Sequence, residues 1–264
     1  MEFISSRNNE YIIYCNSLHE KKNREKDGVF IFEGVKLFEE AIARGVELQS
    51  VVVTEAKSHL IKSLPDSVRK ICVTDSVYSK ISTEKSPSGI FCIAKAIDKF
   101  HKVATIYINN IKGSKIILNS LRDPGNLGTV IRTALAFGID EVILSDDCAD
   151  IYNEKTIRAT MGCLFSQRIT ICRDILQTIN TLKDEGFGVY ATALRHDSQK
   201  LNEIKCDEKT VFIIGNEGHG LSEEIITAAT SPIIIPMPGG AESLNAATAA
   251  TILIWETYRG IHKA

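Results

Sequence analysis

Apolar residues along the chain fall into two rhythms: short continuous runs that suit buried strands, and recurrences every third or fourth residue that suit helix faces. In the first hundred residues, runs at Val29–Phe32, Val51–Val53, Ile71–Val73 and Ile90–Ala94 predict strands, the last opened by the turn-rich Ser86-Pro87-Ser88-Gly89. From Glu33 to Ala43, Leu37, Phe38, Ala41 and Ile42 recur at helical spacing, and Gly45 stands where that helix closes. These elements make a small α/β domain. The stretch Asp98–Ser114 is mixed and polar, interrupted by Asn109-Asn110 and Gly113, and predicts a boundary. The expected layout is residues 1–98, a linker at 99–114, and a second domain at 115–264.

Beyond the boundary the alternation becomes regular. Strands are predicted at Ile116–Asn119, Val142–Leu144, Ile169–Ile171, Val189–Ala193, Val211–Ile214 and Ile233–Ile235. Helices are predicted at Thr129–Phe137, Ile175–Glu185, Ser222–Ala229 and, closing the chain, Leu244–Tyr258. Short, fully apolar strands alternating with helices imply an α/β fold with a parallel sheet covered by helices on both faces.

Composition narrows the class. A chain of 264 residues with 44% hydrophobic content can bury a substantial core, which excludes disorder and fits one large or two smaller domains. Its 31 basic and 33 acidic side chains give a net charge of −2, so the whole surface is not an indiscriminate trap for nucleic acid. A local cationic patch stays open, and Lys21-Lys22-Asn23-Arg24-Glu25-Lys26 is the densest one. The seven cysteines are scattered, without a C-x-x-C pair or neighbouring histidines at ligand spacing; the expectation is inert thiols in a reducing compartment and no metal. The first residues lack a signal-peptide layout and no uncharged apolar run approaches ~18–20 residues, so a soluble, cytoplasmic protein is expected.

In a parallel sheet, ligands bind beyond the carboxyl ends of the strands, so the loops there are the place to look for chemistry. The phosphate-binding G-x-x-x-x-G-K-[ST] is absent, and Gly215-Asn216-Glu217-Gly218-His219-Gly220 runs G-x-x-G-x-G rather than G-x-G-x-x-G. Nucleotide hydrolysis and hydride transfer therefore lose their usual signatures. Three loops remain: Asn119–Gly128 leading into a helix with Arg132, Ile214–Gly220, and Ile235–Asn245. In the first, Asn126-x-Gly128-x-x-x-Arg132 sets an amide and a guanidinium beside a helix N-terminus, which favours an anion such as phosphate.

Together, Asn126-x-Gly128-x-x-x-Arg132, Gly215-Asn216-Glu217-Gly218-His219-Gly220 and Ile235-Pro236-Met237…Ser243-Leu244-Asn245 resemble, in order, the three motifs of the SpoU (TrmH-like) RNA ribose 2′-O-methyltransferases of the SPOUT superfamily. The resemblance spans about Lys115 to Arg259. Phe30-x-Phe32-Glu33-Gly34, Glu40-Ala41 and Val51-Val52-Val53 are similar to the substrate-binding domain often attached to these enzymes, which resembles a small ribosomal protein.

The resemblance implies a C-terminal domain with a deep trefoil knot, S-adenosylmethionine (SAM) as methyl donor, and a homodimer. It implies an RNA substrate, ribosomal RNA favoured over transfer RNA because of the N-terminal module, and no membrane. It assigns the cofactor pocket to Leu194, Gly215, Asn216, Glu217, Ile235, Pro236, Met237, Ser243, Leu244 and Asn245. The catalytic set it implies is Arg132, Asn126, Glu217, Asn245 and Ser243, with Asn126 and Glu217 orienting Arg132 or the ribose. A guanidinium is a poor proton acceptor, so Arg132 is read as holding RNA phosphate and stabilising alkoxide charge. Arg122, Lys21, Lys22, Arg24 and Lys26 complete the expected RNA contacts. Plainer roles stay open: Ser243 and Asn245 as helix caps, Glu217 as a solvated carboxylate, and Trp255 as core or subunit interface. The competing function is an RNA-binding ribosome-assembly factor without catalysis.

Overall fold

The structure is a computed structural model that describes residues 1–97, 101–103 (backbone only), 113–239 and 243–262. Most of the expected 99–114 linker, and Gly240-Ala241-Glu242 of the third motif, lie outside the described residues. Two compact units are present, one formed by Met1–Ile97 with Tyr152–Phe165, the other by Asp98–Ile151 with Ser166–Ala264.

The first unit runs β1 (Glu2–Ile4), α1 (Glu10–Ser17), α2 (Lys21–Asp27), β2 (Val29–Glu33), α3 (Val35–Ala43), β3 (Leu48–Thr54), a 3-10 turn at Glu55–Ile61, β4 (Arg69–Val73), α4 (Asp75–Ile81) and β5 (Ile90–Lys95). Its mixed sheet has the order β1-β4-β3-β5-β2. The four apolar runs seen in the sequence are its four inner and outer main strands, and the short polar β1 was not legible. The Lys21–Lys26 stretch forms a helix, and Gly28, at φ 64°, closes it in the left-handed conformation that favours glycine. Ile12, Leu18, Val52, Tyr78 and Phe91 belong to the core. Buried Glu33 accepts from Tyr78 Oη (3.2 Å), Ser82 Oγ (2.7 Å) and the Thr83 amide (3.2 Å), so its carboxyl sits in a satisfied polar socket.

The chain continues with β6 (His101–Val103), β7 (Lys115–Leu118), α5 (Pro124–Ala136), β8 (Glu141–Ser145), α6 (Glu154–Thr160), β9 (Ile169–Cys172), α7 (Ile175–Asp184), β10 (Gly188–Thr192), β11 (Gln199–Lys200), β12 (Thr210–Ile214), α8 (Glu223–Ala228), β13 (Ser231–Ile234) and α9 (Ala246–His262). All but α6 belong to the second unit. Among the described residues its eight strands take the order β11-β13-β10-β12-β7-β8-β9-β6, and every pairing is parallel. Alternation sends Ile117, Ile143, Val189, Ala191, Val211 and Ile213 toward α7 and α8, while α5 and α9 pack together over β8 and β12. Helix α5 begins five residues before the expected Thr129, because Asp123 caps it and Pro124 occupies its first turn.

The amino ends of β7 and β8 carry a buried ion pair: Lys115 Nζ donates to Glu141 Oε2 at 2.8 Å, and Thr170 Oγ1 donates to Oε1 at 2.5 Å. That edge is structurally committed. The loops able to meet a ligand are at the opposite, carboxyl edge. Among the described residues no helix is long and apolar enough to cross a membrane.

Candidate active site

Because β7, β12, β10 and β13 are neighbours in an all-parallel sheet, the loops that leave them emerge side by side. These are the three motif loops and the turn bearing Leu194. The Leu194 turn and the second and third motif loops surround a cavity of about 650 Å³, within the range of small-molecule sites; none of its lining comes from the first motif loop. Its walls include Leu194, Gly215, Asn216, Glu217, Ile235, Met237, Ser243, Leu244 and Asn245. Of the expected cofactor residues, Pro236 alone does not line it.

The second loop folds back on itself. Asn216 and Gly220 exchange amide hydrogen bonds, both 3.0 Å, as an isolated antiparallel bridge. A Cβ on buried Gly215 would lie 2.4 Å from the Gly220 carbonyl carbon and 2.7 Å from the Leu221 nitrogen, so only glycine fits. Asn216 braces the turn: its Oδ1 accepts from the amides of Gly218 (2.8 Å) and His219 (3.2 Å), and its Nδ2 donates to the Ser120 carbonyl (2.8 Å).

One chain of polar groups fastens the three loops together. Asn245 Nδ2 donates to Asn126 Oδ1 (3.0 Å), and Asn126 Nδ2 donates to Glu217 Oε1 (3.1 Å). Glu217 also accepts from the backbone amides of Arg122 (3.1 Å) and Asp123 (3.0 Å). Partial burial pushes the Glu217 carboxyl up, but the Asn126 amide and those backbone donors outweigh it and hold the group below the usual carboxylate range. Asn245 both caps a helix and joins this network. Its Oδ1 accepts from the amides of Ala247 (2.9 Å) and Thr248 (3.3 Å), capping α9, while its nitrogen joins the network. Ser243 lines the cavity but does not cap the helix.

Arg132 lies exposed on α5, outside the cavity lining, and among the described residues its guanidinium has no hydrogen bond or ion pair. Asn126 and Glu217, expected to orient Arg132 or the ribose, make no hydrogen bond to that guanidinium among the described residues and instead join the loops. Arg122 is exposed and pairs with Asp147 at 2.8 Å. In the first unit Lys21, Lys22 and Lys26 are exposed, as a cationic face requires. Arg24 is not: it is 5% exposed, and its Nη1 donates to the carbonyls of Leu18 (2.8 Å) and His19 (2.6 Å), so a structural role replaces the expected RNA contact.

Sequence reasoning missed Asp123, Arg195 and Asp147. Asp123 accepts from the Asn126 amide at 2.8 Å and starts α5; Asp123-Pro124 was the available signal. Arg195 stands at the cavity wall, bound to Asp197 (2.9 Å) and Glu223 (2.6 Å). No sequence spacing announced it.

The parallel sheet, the cavity at its carboxyl edge and the interlocked loops define an α/β enzyme for a small ligand of mixed polarity, with Arg132, unpaired among the described residues, on the helix that leaves the first loop. Residues 113–255 match the SpoU rRNA Methylase family, and the chain belongs to it. Residues 9–92 match the MRM3-like substrate binding domain. The chain is similar to the 23S rRNA (guanosine(2553)-2′-O)-methyltransferase RlmP of Bacillus subtilis (strain 168), at 32% identity over 97% of this chain and 98% of that protein. It is similar to the AdoMet-bound rRNA methyltransferase from Sinorhizobium meliloti, with TM-score 0.84 and 29% identity, over 98% of this chain and 97% of that one. A structure described as giving insights into the 2-OH methylation of C/U34 on tRNA matches with TM-score 0.52 and 25% identity, covering 62% of this chain and 99% of its own.

Proposed function

We propose that the protein transfers a methyl group from SAM to the ribose 2′-hydroxyl of a nucleotide in structured RNA, and that the RNA is large-subunit ribosomal RNA rather than transfer RNA. The observation that carries this reading is the Asn245–Asn126–Glu217 chain, which ties the first family loop to the two that line the cavity. Favouring ribosomal RNA, the rRNA methyltransferase relatives match the whole chain, whereas the tRNA-related structure spans only part of it.

The residues present fit SAM: apolar walls from Leu194, Ile235, Met237 and Leu244 beside the exposed backbone of a glycine loop suit a nucleoside with an aliphatic arm. Bound there, SAM supplies an electrophilic sulfonium methyl. The chain's task is to hold two reactants in line, a contribution of positioning. Glu217 serves that task as an anchor, because a carboxylate already accepting three N–H donors, with its affinity for a proton lowered, is a weak base. Arg132, permanently charged, holds an RNA phosphate and stabilises charge developing on the ribose oxygen, while the proton leaves to that phosphate or to water.

In the same proposal residues 1–98 recognise RNA through Lys21, Lys22 and Lys26, residues 115–264 carry the chemistry within a knotted SPOUT domain, and the protein works in the cytoplasm. Two copies associate through the α5–α9 face, where Phe137 meets Trp255 (5.5 Å) and Tyr258 (5.6 Å) and Trp255 remains 41% exposed. The test of the assignment is Arg132→Lys: methyl transfer falls to near background while calorimetric SAM affinity is kept. Equal loss of SAM binding refutes the role given to Arg132.

A further inference from the structure

The first motif loop is held from two sides. Glu217 takes the backbone amide of Arg122 at 3.1 Å, and Asp147, in the turn just beyond β8, takes its guanidinium through Nη2 at 2.8 Å. Asp147 is itself fixed independently of Arg122. Its Oδ1 accepts from Ser145 Oγ (2.5 Å) and its Oδ2 from Ser120 Oγ (2.7 Å), while the Ser120 amide donates to Ser145 Oγ (2.7 Å). Ser120 occupies the left-handed region at φ 57°, a turn that brings its hydroxyl to Asp147 and its carbonyl to Asn216. Partial burial pushes the Asp147 carboxyl up, but the two serine hydroxyls and Arg122 outweigh it and hold the group below the usual aspartate range.

Only Nη2 of Arg122 is engaged by Asp147, and the side chain is 61% exposed. Among the described residues the remaining guanidinium N–H groups have no partner, which leaves them to form the forked contact that suits a phosphate. We propose that Asp147 is a positioning residue for RNA binding: a fixed carboxylate that holds Arg122 at the catalytic edge with its free N–H groups ready for a backbone phosphate of the substrate. The proposal rests on the RNA-methylating reading of the site and adds to it the residue that orders one of its phosphate contacts. Holding the arginine in advance removes part of the side-chain ordering that binding would otherwise require. It differs from a gate, in which Asp147 would compete with phosphate for the same cation.

The experiment is a double-mutant cycle read by RNA affinity, using fluorescence anisotropy with an unmethylated 23S ribosomal RNA transcript and with transfer RNA, alongside calorimetric SAM binding. Asp147→Asn should weaken binding of the ribosomal transcript about 3- to 10-fold, the scale of ordering one long side chain, with SAM affinity unchanged. In methylation assays KM for RNA should rise by the same factor with little change in kcat. Arg122→Ala should weaken RNA binding at least as much, and the double variant should bind no more weakly than Arg122→Ala alone. Asp147→Glu, which keeps the charge, should recover part of the loss, and it supplies the same comparison if Asp147→Asn fails to fold. Unchanged or tighter RNA binding by Asp147→Asn overturns the proposal, the latter in favour of a gate. A penalty that persists in full without Arg122 also overturns it. A wild-type chain that binds neither RNA refutes the functional reading and this inference with it; wild-type binding with inert variants refutes the inference alone.

Discussion

Replacing Glu217 with glutamine removes the charge at the centre of the loop junction while preserving shape. The carboxylate accepts three N–H donors, from Arg122, Asp123 and Asn126. Glutamine offers one acceptor oxygen, and its amide nitrogen then meets a backbone N–H, donor against donor. Hydrogen bonds to a charged group contribute about 1.5–3 kcal/mol and neutral ones about 0.5–1.5 kcal/mol, so losing one and neutralising two removes about 3–4 kcal/mol at the lower ends. The junction is open to water, which hydrates the freed donor and screens the charge, leaving about 2 kcal/mol. For a domain of this size that corresponds to a drop of about 4–8 °C in Tm. Because the folded-state pKa is lowered, the wild-type contribution is present above the unfolded carboxylate value and disappears as pH falls through the folded one. Calorimetric melting at neutral and acid pH, with SAM titrations, should therefore show a neutral-pH deficit in Glu217→Gln that narrows in acid, together with weaker SAM binding. A variant that melts and binds SAM like wild type would show that Glu217 is only a solvated loop carboxylate.

Asn245→Asp keeps the oxygen that caps α9 but loses the donor to Asn126; SAM affinity should fall several-fold in calorimetry while helix content by circular dichroism holds. Arg24→Ala should destabilise the first unit by about 2–3 kcal/mol in urea, since it leaves two carbonyls without their buried charged donor, whereas Lys22→Ala should leave stability unchanged and weaken RNA binding. His19 donates to Glu154 at 2.7 Å and that bond raises the imidazole pKa above its ordinary value. Its stabilisation is complete below the unfolded histidine value and lost as pH rises through the raised one, so wild type should soften as pH climbs above the ordinary histidine range, and Glu154→Gln should flatten that slope.

The parallel sheet was legible because its strands are short and apolar throughout, as Val142–Leu144 and Val211–Ile214 illustrate. The three motif loops were legible because their glycines and amides are spaced in order along the chain. What stayed hidden depends on contacts between distant segments. Arg24 lies in a run of lysines and reads as surface, yet the turn after α1 presents two carbonyls that draw it inward. Asp147 gains meaning only when β7 and β8 align in parallel, bringing Ser120 and Arg122 to it. The segment Tyr152–Phe165 follows β8 in sequence but packs with the first unit, where Tyr152 stacks on Phe30 at 4.7 Å. Local periodicity carries no record of such a partner.

The central claim is methyl transfer to ribose in ribosomal RNA, and the most direct measurement uses SAM labelled in its methyl group with unmethylated 23S ribosomal RNA and transfer RNA transcripts as separate acceptors. Label should enter the ribosomal transcript at a single nucleotide, resistant there to alkaline cleavage as a 2′-O-methyl ribose must be, and Arg132→Lys should abolish the transfer. Label confined to transfer RNA, or SAM binding without transfer to either RNA, would contradict that claim.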